Sequence, residues 1–187
     1  VAASAQIAGI AHDLTGSTWN TADDLCAVCH TPHNGAAVAG APLWDREATA
    51  GTFTMYTGVD LDGATDAAPT GASLLCLGCH DGTVALENYG GVTTGTDLIT
   101  GVALVGEDLS NDHPISITYT LATSTADGEL HDPTTQTSGL GGTIDADMLF
   151  GTKVQCASCH DVHDDTNGMF LIKDNTSSAL CLTCHNK

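Results

Sequence analysis

Four copies of the pattern Cys-x-x-Cys-His constrain this chain more than any other feature. They use all eight cysteines, so none is left for a disulfide or a lipid anchor. The copies, numbered here as motifs 1 to 4, are Cys26-Ala-Val-Cys29-His30, Cys76-Leu-Gly-Cys79-His80, Cys156-Ala-Ser-Cys159-His160 and Cys181-Leu-Thr-Cys184-His185. Any fold of this chain has to serve whatever these motifs bind.

The motifs allow three chemical interpretations. Two thiols two residues apart can form thioethers with the vinyl groups of one haem, and the adjacent histidine then lies under the iron as its proximal ligand. Paired Cys-x-x-Cys units could instead form a zinc site, and a single unit could be a redox dithiol. Neither of these needs the histidine, and finding it four times by chance has a probability on the order of one in 10⁵. The motifs therefore predict four covalently bound haem c groups per chain.

Nine histidines minus the four in the motifs leaves five that could ligate the other face of an iron. Their order repeats: a lone histidine, a motif extended to Cys-x-x-Cys-His-x-x-His, then an unextended motif. We therefore predict one tetrahaem unit over residues 1–187 with an internal repeat of about 12–80 and 113–185. The repeat selects His12, His33, His113 and His163 as distal ligands. It leaves His131, which lies in a polar run, as a surface histidine.

The spacing also suggests which haem each distal histidine serves. His33 and His163 follow a proximal histidine by three residues, too close to reach the opposite face of the same porphyrin. We assign His33 to the second haem and His163 to the fourth, which leaves His12 and His113 for the first and third. Pro114 restrains the backbone after His113, as suits a fixed ligand. Alternative axial ligands, which we interpret as packing residues, are Met55, Met148 and Met169.

Large apolar side chains are scarce, with aromatic residues making up 4% of the chain. Such side chains supply most of the free energy of burial in an ordinary core, so porphyrins would have to take their place. We expect mostly coil with a few short helices and little strand, wrapped around a haem stack. The expected elements are a helix from the capping box Thr21-Ala-Asp-Asp24, a helix capped by Asn175 or Thr176, and a strand over Ile115–Leu121.

The charge is strongly one-sided: four basic residues against 23 acidic ones give a formal charge of −19. Nucleic acid and anionic membrane are excluded as partners because both need a positive face. The charge favours a well-solvated surface. The alternative interpretation is a surface that attracts cations or basic redox partners. No stretch approaches the roughly 20 apolar residues that span a bilayer.

The cellular location follows from the haem chemistry. Val1–Ile10 has no basic start, and we interpret it as a mature N-terminus from which a signal peptide has been removed. Covalent haem attachment takes place outside the cytoplasm, where thiols reach the haem before they oxidise. We therefore expect a periplasmic or extracellular protein.

Several segments along the chain carry a family resemblance. They are His12-Asp-Leu-Thr15, Cys29-His-Thr-Pro-His-Asn34, Leu74-Leu-Cys-Leu-Gly-Cys-His-Asp-Gly82, Asn111-Asp-His-Pro-Ile115, Cys159-His-Asp-Val-His163 and Leu180-Cys-Leu-Thr-Cys-His-Asn-Lys187. Through them the chain resembles the extracellular multihaem c-type cytochromes that polymerise into conductive filaments in metal-respiring bacteria. The resemblance is to the tetrahaem OmcE-like type of these cytochrome nanowires.

The resemblance implies a continuous haem stack in which a histidine of one subunit ligates a haem of its neighbour. His12, near the N-terminus, is then the candidate donor, and its acceptor is the third haem on Cys156, Cys159 and His160. His113 would complete the first haem within the same chain. A head-to-tail contact of this kind does not close, so it produces a homopolymeric filament. From the residues alone, His12 can also ligate the first haem of its own chain in a monomer.

The expected function is electron transfer between bis-histidine haems, by a carrier rather than an enzyme. Its acceptors would be other redox cytochromes or extracellular acceptors such as metal oxides. A soluble periplasmic tetrahaem shuttle has the same motifs and is the alternative. A multihaem reductase, for nitrite or hydroxylamine, would need an iron with an open position.

Overall fold

A computed structural model describes residues 7–38 and 41–187 of the chain. Residues 1–6, which belong to the segment interpreted as a mature N-terminus, lie outside the described residues. The described chain is mostly coil and turns, with short helices and little strand, as the sequence predicts. None of its helices is long and apolar enough to cross a membrane.

The regular elements of the described chain are short. They are β1 (Ala36–Val38), β2 (Ala41–Trp44), α1 (Gly71–His80), β3 (Ile117–Thr118), α2 (Leu121–Asp127), α3 (Ile144–Met148), β4 (Lys153–Val154) and α4 (Cys181–Cys184). Single 3₁₀ turns occur at Gly101–Ala103, Cys156–Ser158 and Thr176–Ser178. β1 pairs antiparallel with β2, and β3 pairs antiparallel with β4. Three of the four motifs lie in helical turns: motif 2 ends α1, motif 3 begins with a 3₁₀ turn, and motif 4 forms α4.

The helix predicted from the capping box Thr21-Ala-Asp-Asp24 is wrong in extent, and the residue that caps the turn is Asp24 rather than Thr21. Asp24 Oδ1 accepts hydrogen bonds from the backbone N–H groups of Cys26 (2.8 Å) and Ala27 (2.9 Å). The chain then makes one turn and leaves it, because Thr31 N–H donates to Leu43 O (2.8 Å) and joins the β1–β2 hairpin. Motif 1 therefore lies in a capped turn.

The other two predicted elements are present in shorter form. Asn175 Oδ1 accepts from Leu180 N–H (3.0 Å) and so fixes the segment that leads into α4. The strand is confined to Ile117–Thr118, because Ser116 has a left-handed backbone (φ 53°) and α2 begins at Leu121.

The largest buried cluster lies beside motifs 3 and 4. Tyr119, Ile144, Met148 and Leu180 form it, and the half-buried cysteines Cys159 and Cys184 pack against it. Met148 is thus a packing residue, as expected. Met169, by contrast, is 80% exposed and packs little.

Candidate haem-binding centre

Each motif forms a helical turn that begins at its first cysteine. In motifs 1, 3 and 4 the histidine N–H donates to the carbonyl of the first cysteine, at 2.9, 3.0 and 3.0 Å respectively. Motif 2 has the same turn as part of α1. Residues three apart on a helical turn are neighbours on one face. Two sulfurs and the imidazole can therefore reach one flat ligand.

Two of the proximal histidines have their Nδ1 atom held by a backbone carbonyl. His80 Nδ1 lies 2.7 Å from Ala103 O, and His160 Nδ1 lies 2.9 Å from Met169 O. A ring whose Nδ1–H donates to a carbonyl keeps its Nε2 lone pair for a metal. The loops that carry Ala103 and Met169 thus orient the imidazoles of motifs 2 and 3.

Three of the four proximal histidines face a second histidine across a gap. The ring centres are 6.1 Å apart for His12 and His80, 6.3 Å for His30 and His163, and 6.4 Å for His113 and His185. With a metal–nitrogen bond of about 2 Å and a ring centre about 1 Å behind the nitrogen, imidazoles on opposite sides of one iron have centres about 6 Å apart. The three gaps therefore fit a haem iron bound by two histidines.

The structure brings together different pairs from those assigned by spacing. The ring beside His80 is that of His12 rather than His33, and the ring beside His185 is that of His113 rather than His163. His163 lies instead beside His30 of motif 1, where we had placed His12 or His113. Three-residue spacing excludes a haem of the same motif, but the tertiary fold decides which other motif comes within reach.

The contacts of the His12 ring explain its position beside motif 2. Its ring packs on Phe170 with ring centres 4.5 Å apart, and its Nδ1 atom is buried without a hydrogen-bond partner in the described chain. Burial lowers the pKa of His12, and the neighbouring His80 and His163 lower it further. A neutral imidazole is the form that binds a metal. An orphaned buried nitrogen of this kind fits a ligand position.

His33 and His160 do not form such a pair. Both are exposed, and neither ring lies beside another histidine in the described part of the chain. The structure therefore leaves His33, predicted as a distal ligand, apart from His160, predicted as a proximal ligand.

His131 is half-buried, which differs from the surface position predicted for it. Its N–H donates to Cys184 O (2.8 Å), and its carbonyl accepts from the Tyr119 hydroxyl (2.7 Å). Its backbone therefore holds motif 4 against the buried cluster, while no contact of its imidazole with another ring occurs among the described residues.

Motifs 1 and 2 lie side by side, and so do motifs 3 and 4. Burial raises the pKa of Cys29 most, and the nearby Cys79 thiol raises it further. Burial likewise raises the pKa of Cys184 to about 11, with Cys159 as the next contributor. Haem attachment would convert these sulfurs into thioethers, which do not titrate. The influence of each thiol on the pKa of the other shows that the paired motifs lie close together.

The junction between motifs 2 and 3 is tighter. The Cys76 and Cys156 thiols are neighbours, and their interaction raises the pKa of Cys76 and lowers that of Cys156. Ser73 Oγ in α1 accepts from Cys156 N–H (2.9 Å), and Gln155 Oε1 accepts from Ser73 N–H (3.3 Å). The four motifs are thus neighbours in chain order, from 1 to 4.

A shallow cavity of about 260 Å³ lies at motif 1. Its lining includes Cys26, His30 and Leu43, and Trp44 packs edge-on to His30 with ring centres 5.9 Å apart. Among the described residues, no cluster of three or more His, Cys, Asp or Glu side chains comes together as a site for a bare metal ion. The geometry of the motifs suits a flat ligand.

Two residues near the motifs were missed by the sequence analysis. Trp44 ends β2 of the hairpin, and Arg46 follows it and is buried against motif 1. A signal was present, since Arg46 is the single arginine of a strongly acidic chain. Its place beside a motif depends on the hairpin, which was not predicted.

The helical turns and the paired histidines are the features that binding of several covalently attached haem c groups would need, as in the class of multihaem c-type cytochromes. Comparison with known proteins supports this class. The model of a family described as doubled CXXCH motif matches residues 150–187, which include motifs 3 and 4. No curated protein matches the chain.

Proposed function

We propose that the protein carries electrons through four haem c groups, one on each motif, around which the coil-rich chain is wrapped. The observation that carries this proposal is the set of three histidine pairs with ring centres 6.1 to 6.4 Å apart. When bound, each haem supplies one iron that exchanges a single electron between its ferrous and ferric states. Each of the three histidine pairs would hold one iron from two sides, which would leave no room for a substrate at those irons.

The residues around the motifs have defined roles in this proposal. The carbonyls of Ala103 and Met169 fix the imidazoles of His80 and His160. Phe170 packs against His12 and keeps water from it. The neighbouring positions of motifs 1 to 4 provide consecutive haem attachments, which is the arrangement that electron transfer along a chain of cofactors needs.

Mass spectrometry and visible spectroscopy of the native protein test this function together. The denatured chain should retain the mass of four haem c groups, and Cys76→Ala/Cys79→Ala should retain three. Reduction should give a sharp low-spin haem spectrum that added cyanide or nitrite does not change. A colourless protein would refute the haem proposal and favour zinc or a dithiol. A spectrum that responds to cyanide would favour a reductase with an open iron.

We further propose that the protein is a head-to-tail homopolymer, in which His33 of one subunit ligates the haem on motif 3 of the next. The internal repeat supports this. In both halves the leading histidine lies beside the unextended motif, as His12 does with His80 and His113 does with His185. The extended motif of the second half supplies His163 to motif 1. In the repeat, His33 is equivalent to His163 and motif 3 is equivalent to motif 1. The matching contact is therefore His33 of one subunit with motif 3 of another.

This arrangement replaces His12 with His33 as the donor between subunits. Both His33 and His160 are exposed on the single chain, as residues of an open contact would be. A secreted, extracellular filament would deliver respiratory electrons to other cytochromes or to metal oxides. The periplasm is the alternative location.

Electron microscopy of the native protein tests the filament. Wild-type protein and the matched control His131→Ala should form filaments, and His33→Ala should give single particles that still carry four haems. Filaments in His33→Ala would contradict the assigned contact. Single particles of wild-type protein, with every iron six-coordinate, would identify a soluble shuttle instead.

A further inference from the structure

The chain has four basic side chains, and they fall into two groups. Lys153 and Lys187 are neutralised: Lys153 Nζ lies 2.6 Å from Asp66 Oδ1, and Lys187 forms an ion pair with Glu129. Arg46 and Lys173 form no ion pair with a carboxylate in the described part of the chain. In a chain of formal charge −19, two cations without a paired carboxylate are an unexpected feature.

Arg46 is buried between motifs 1 and 2 and is only 8% exposed. Its Nη1 atom donates to Val28 O (3.2 Å) and Leu86 O (3.1 Å), and its Nη2 atom donates to Ala85 O (3.0 Å). Its Nε atom is buried and has no partner in the described chain. Burial raises the pKa of the Cys79 thiol, and the adjacent Arg46 guanidinium opposes that rise. A buried cation held by neutral carbonyls is costly unless something nearby compensates it.

Lys173 has the corresponding place at motif 4. Its Nζ atom donates to Ser138 O (2.7 Å) and Thr183 Oγ1 (2.9 Å). Thr183 stands directly before the second cysteine of motif 4, as Val28 does in motif 1. The two cations without a paired carboxylate therefore contact equivalent positions in the first and the last motif.

We propose that Arg46 and Lys173 are fixed positive charges that raise the reduction potentials of the haems on the adjacent motifs. This rests on the proposed function, because it needs haem on the motifs. Reduction adds one electron to the iron, so a cation held nearby favours the reduced state by Coulomb attraction, and more strongly where water is excluded. The surrounding carboxylates have the opposite effect. A paired lysine contributes little, since its carboxylate cancels its field.

Spectroelectrochemical titration of the holoprotein tests this with pairs of variants that separate charge from structure. Arg46→Gln and Lys173→Gln remove the charge and keep a hydrogen-bond donor. Arg46→Lys and Lys173→Arg keep the charge and change the contacts. Lys153→Gln/Asp66→Asn removes both charges of a neutralised ion pair and serves as the matched control. Intact mass gives the haem count of every sample.

Each Gln variant should retain four haems and move part of its titration curve to lower potential. The charge-conserving variants and the ion-pair variant Lys153→Gln/Asp66→Asn should titrate as the wild type does. An unshifted curve in a Gln variant with four haems would overturn the inference. An equal shift in the matching charge-conserving variant would also overturn it, because that is the behaviour of a merely structural residue.

The two sites give independent tests. If Arg46→Gln does not yield holoprotein, the Lys173 pair decides on its own, with the same expected and contradicting results. Wild-type protein without haem would refute the proposed function itself, and its absent titration curve distinguishes that outcome from failure of this inference.

Discussion

At the scale of single residues, knowing that a histidine is a candidate haem ligand does not tell which motif it lies beside. His163 lies three residues after His160, yet its ring centre lies 6.3 Å from that of His30 of motif 1, with an angle of 20° between the ring planes. Asp161 Oδ1 accepts from the His163 N–H (2.9 Å) and turns the loop in that direction. A side chain so placed joins the second half of the chain to the first.

Replacing His163 with alanine should therefore leave the haem on motif 1 without its distal ligand. We expect one haem of four to become high-spin, measured by electron paramagnetic resonance. In a background without the motif 1 haem (Cys26→Ala/Cys29→Ala), the same substitution should add no high-spin signal. A new high-spin signal in that background would contradict the pairing and support ligation of the haem on motif 4.

This residue shows what the sequence can and cannot predict about the site. Cysteine spacing and the adjacent histidine are local, so the chemistry of the motifs follows from short stretches of sequence. The pairing of His163 with His30 joins residues more than a hundred positions apart, through a fold that no local pattern describes. Arg46 was missed for the same reason, since its three carbonyl partners come from two distant segments.

At the scale of elements, the contact between α1 and the turn of motif 3 is the tightest junction between motifs. Ser73 is fully buried, and its hydroxyl is the acceptor for the Cys156 N–H at 2.9 Å. Ser73→Ala would leave that N–H unpaired, which typically costs about 1–3 kcal/mol. We expect a lower thermal unfolding temperature of the holoprotein, followed by circular dichroism.

The control for this substitution is Ser110→Ala, which removes an exposed hydroxyl bonded to Asp108 at 2.6 Å. It should change the free energy of unfolding by less than about 0.5 kcal/mol. Equal unfolding temperatures for the two variants would show that the α1 junction does not contribute as described.

A second element-scale contact ties the loop before α1 to β4. The Lys153 ammonium donates to Asp66 and holds the pKa of this carboxyl below its usual range, with Thr70 as the next donor. A lowered folded-state pKa stabilises the protein above the unfolded-state value, near 4, and this contribution is lost as pH falls through the folded-state pKa. Because the pair is partly exposed, it is worth about 0–1 kcal/mol.

Asp66→Asn should therefore be less stable than wild type at pH 7, and the difference should vanish as the pH falls below about 3. Denaturant unfolding across this pH range measures it. Asp62→Asn, an exposed neighbour without an ion pair in the described chain, should show no such pH-dependent difference. A difference for Asp66→Asn that persists at low pH would mean that the ion pair is not its source.

Element prediction succeeded only in part, even where the signal was local. Asp24 caps a single turn, and the Asn175 side chain bonds to Leu180 N–H, five residues on, without capping the turn that follows it. The strand at Ile117–Thr118 is shorter than its alternating pattern indicated, since Ser116 adopts a left-handed conformation. The β1–β2 hairpin, which brings Trp44 beside His30 of motif 1, was not predicted although its pairing is local.

At the scale of the whole molecule, the protein has few large buried side chains to hold it together. Its main apolar cluster has four buried members, three of them large aliphatic residues and the fourth Tyr119. Sizeable apolar side chains such as Leu43 and Leu104 are more than 40% exposed on the bare chain. Porphyrins on the motifs would cover this surface, which is the wrapping that we propose.

A chain with all eight cysteines replaced by serine should therefore fail to fold cooperatively, since it loses the attached haems. Hydrogen exchange should show little amide protection in this variant, in contrast to the holoprotein. Protection in α1 and α3 equal to that of the holoprotein would contradict the view that haem forms the core.

The most direct test of the account is an electron cryo-microscopy map of the native protein at a resolution that shows axial ligands. We predict four haems, each joined to both cysteines of one motif. Three irons should lie between His12 and His80, His30 and His163, and His113 and His185. An iron with an open axial position, or one of these pairs with no iron between its rings, would contradict the account.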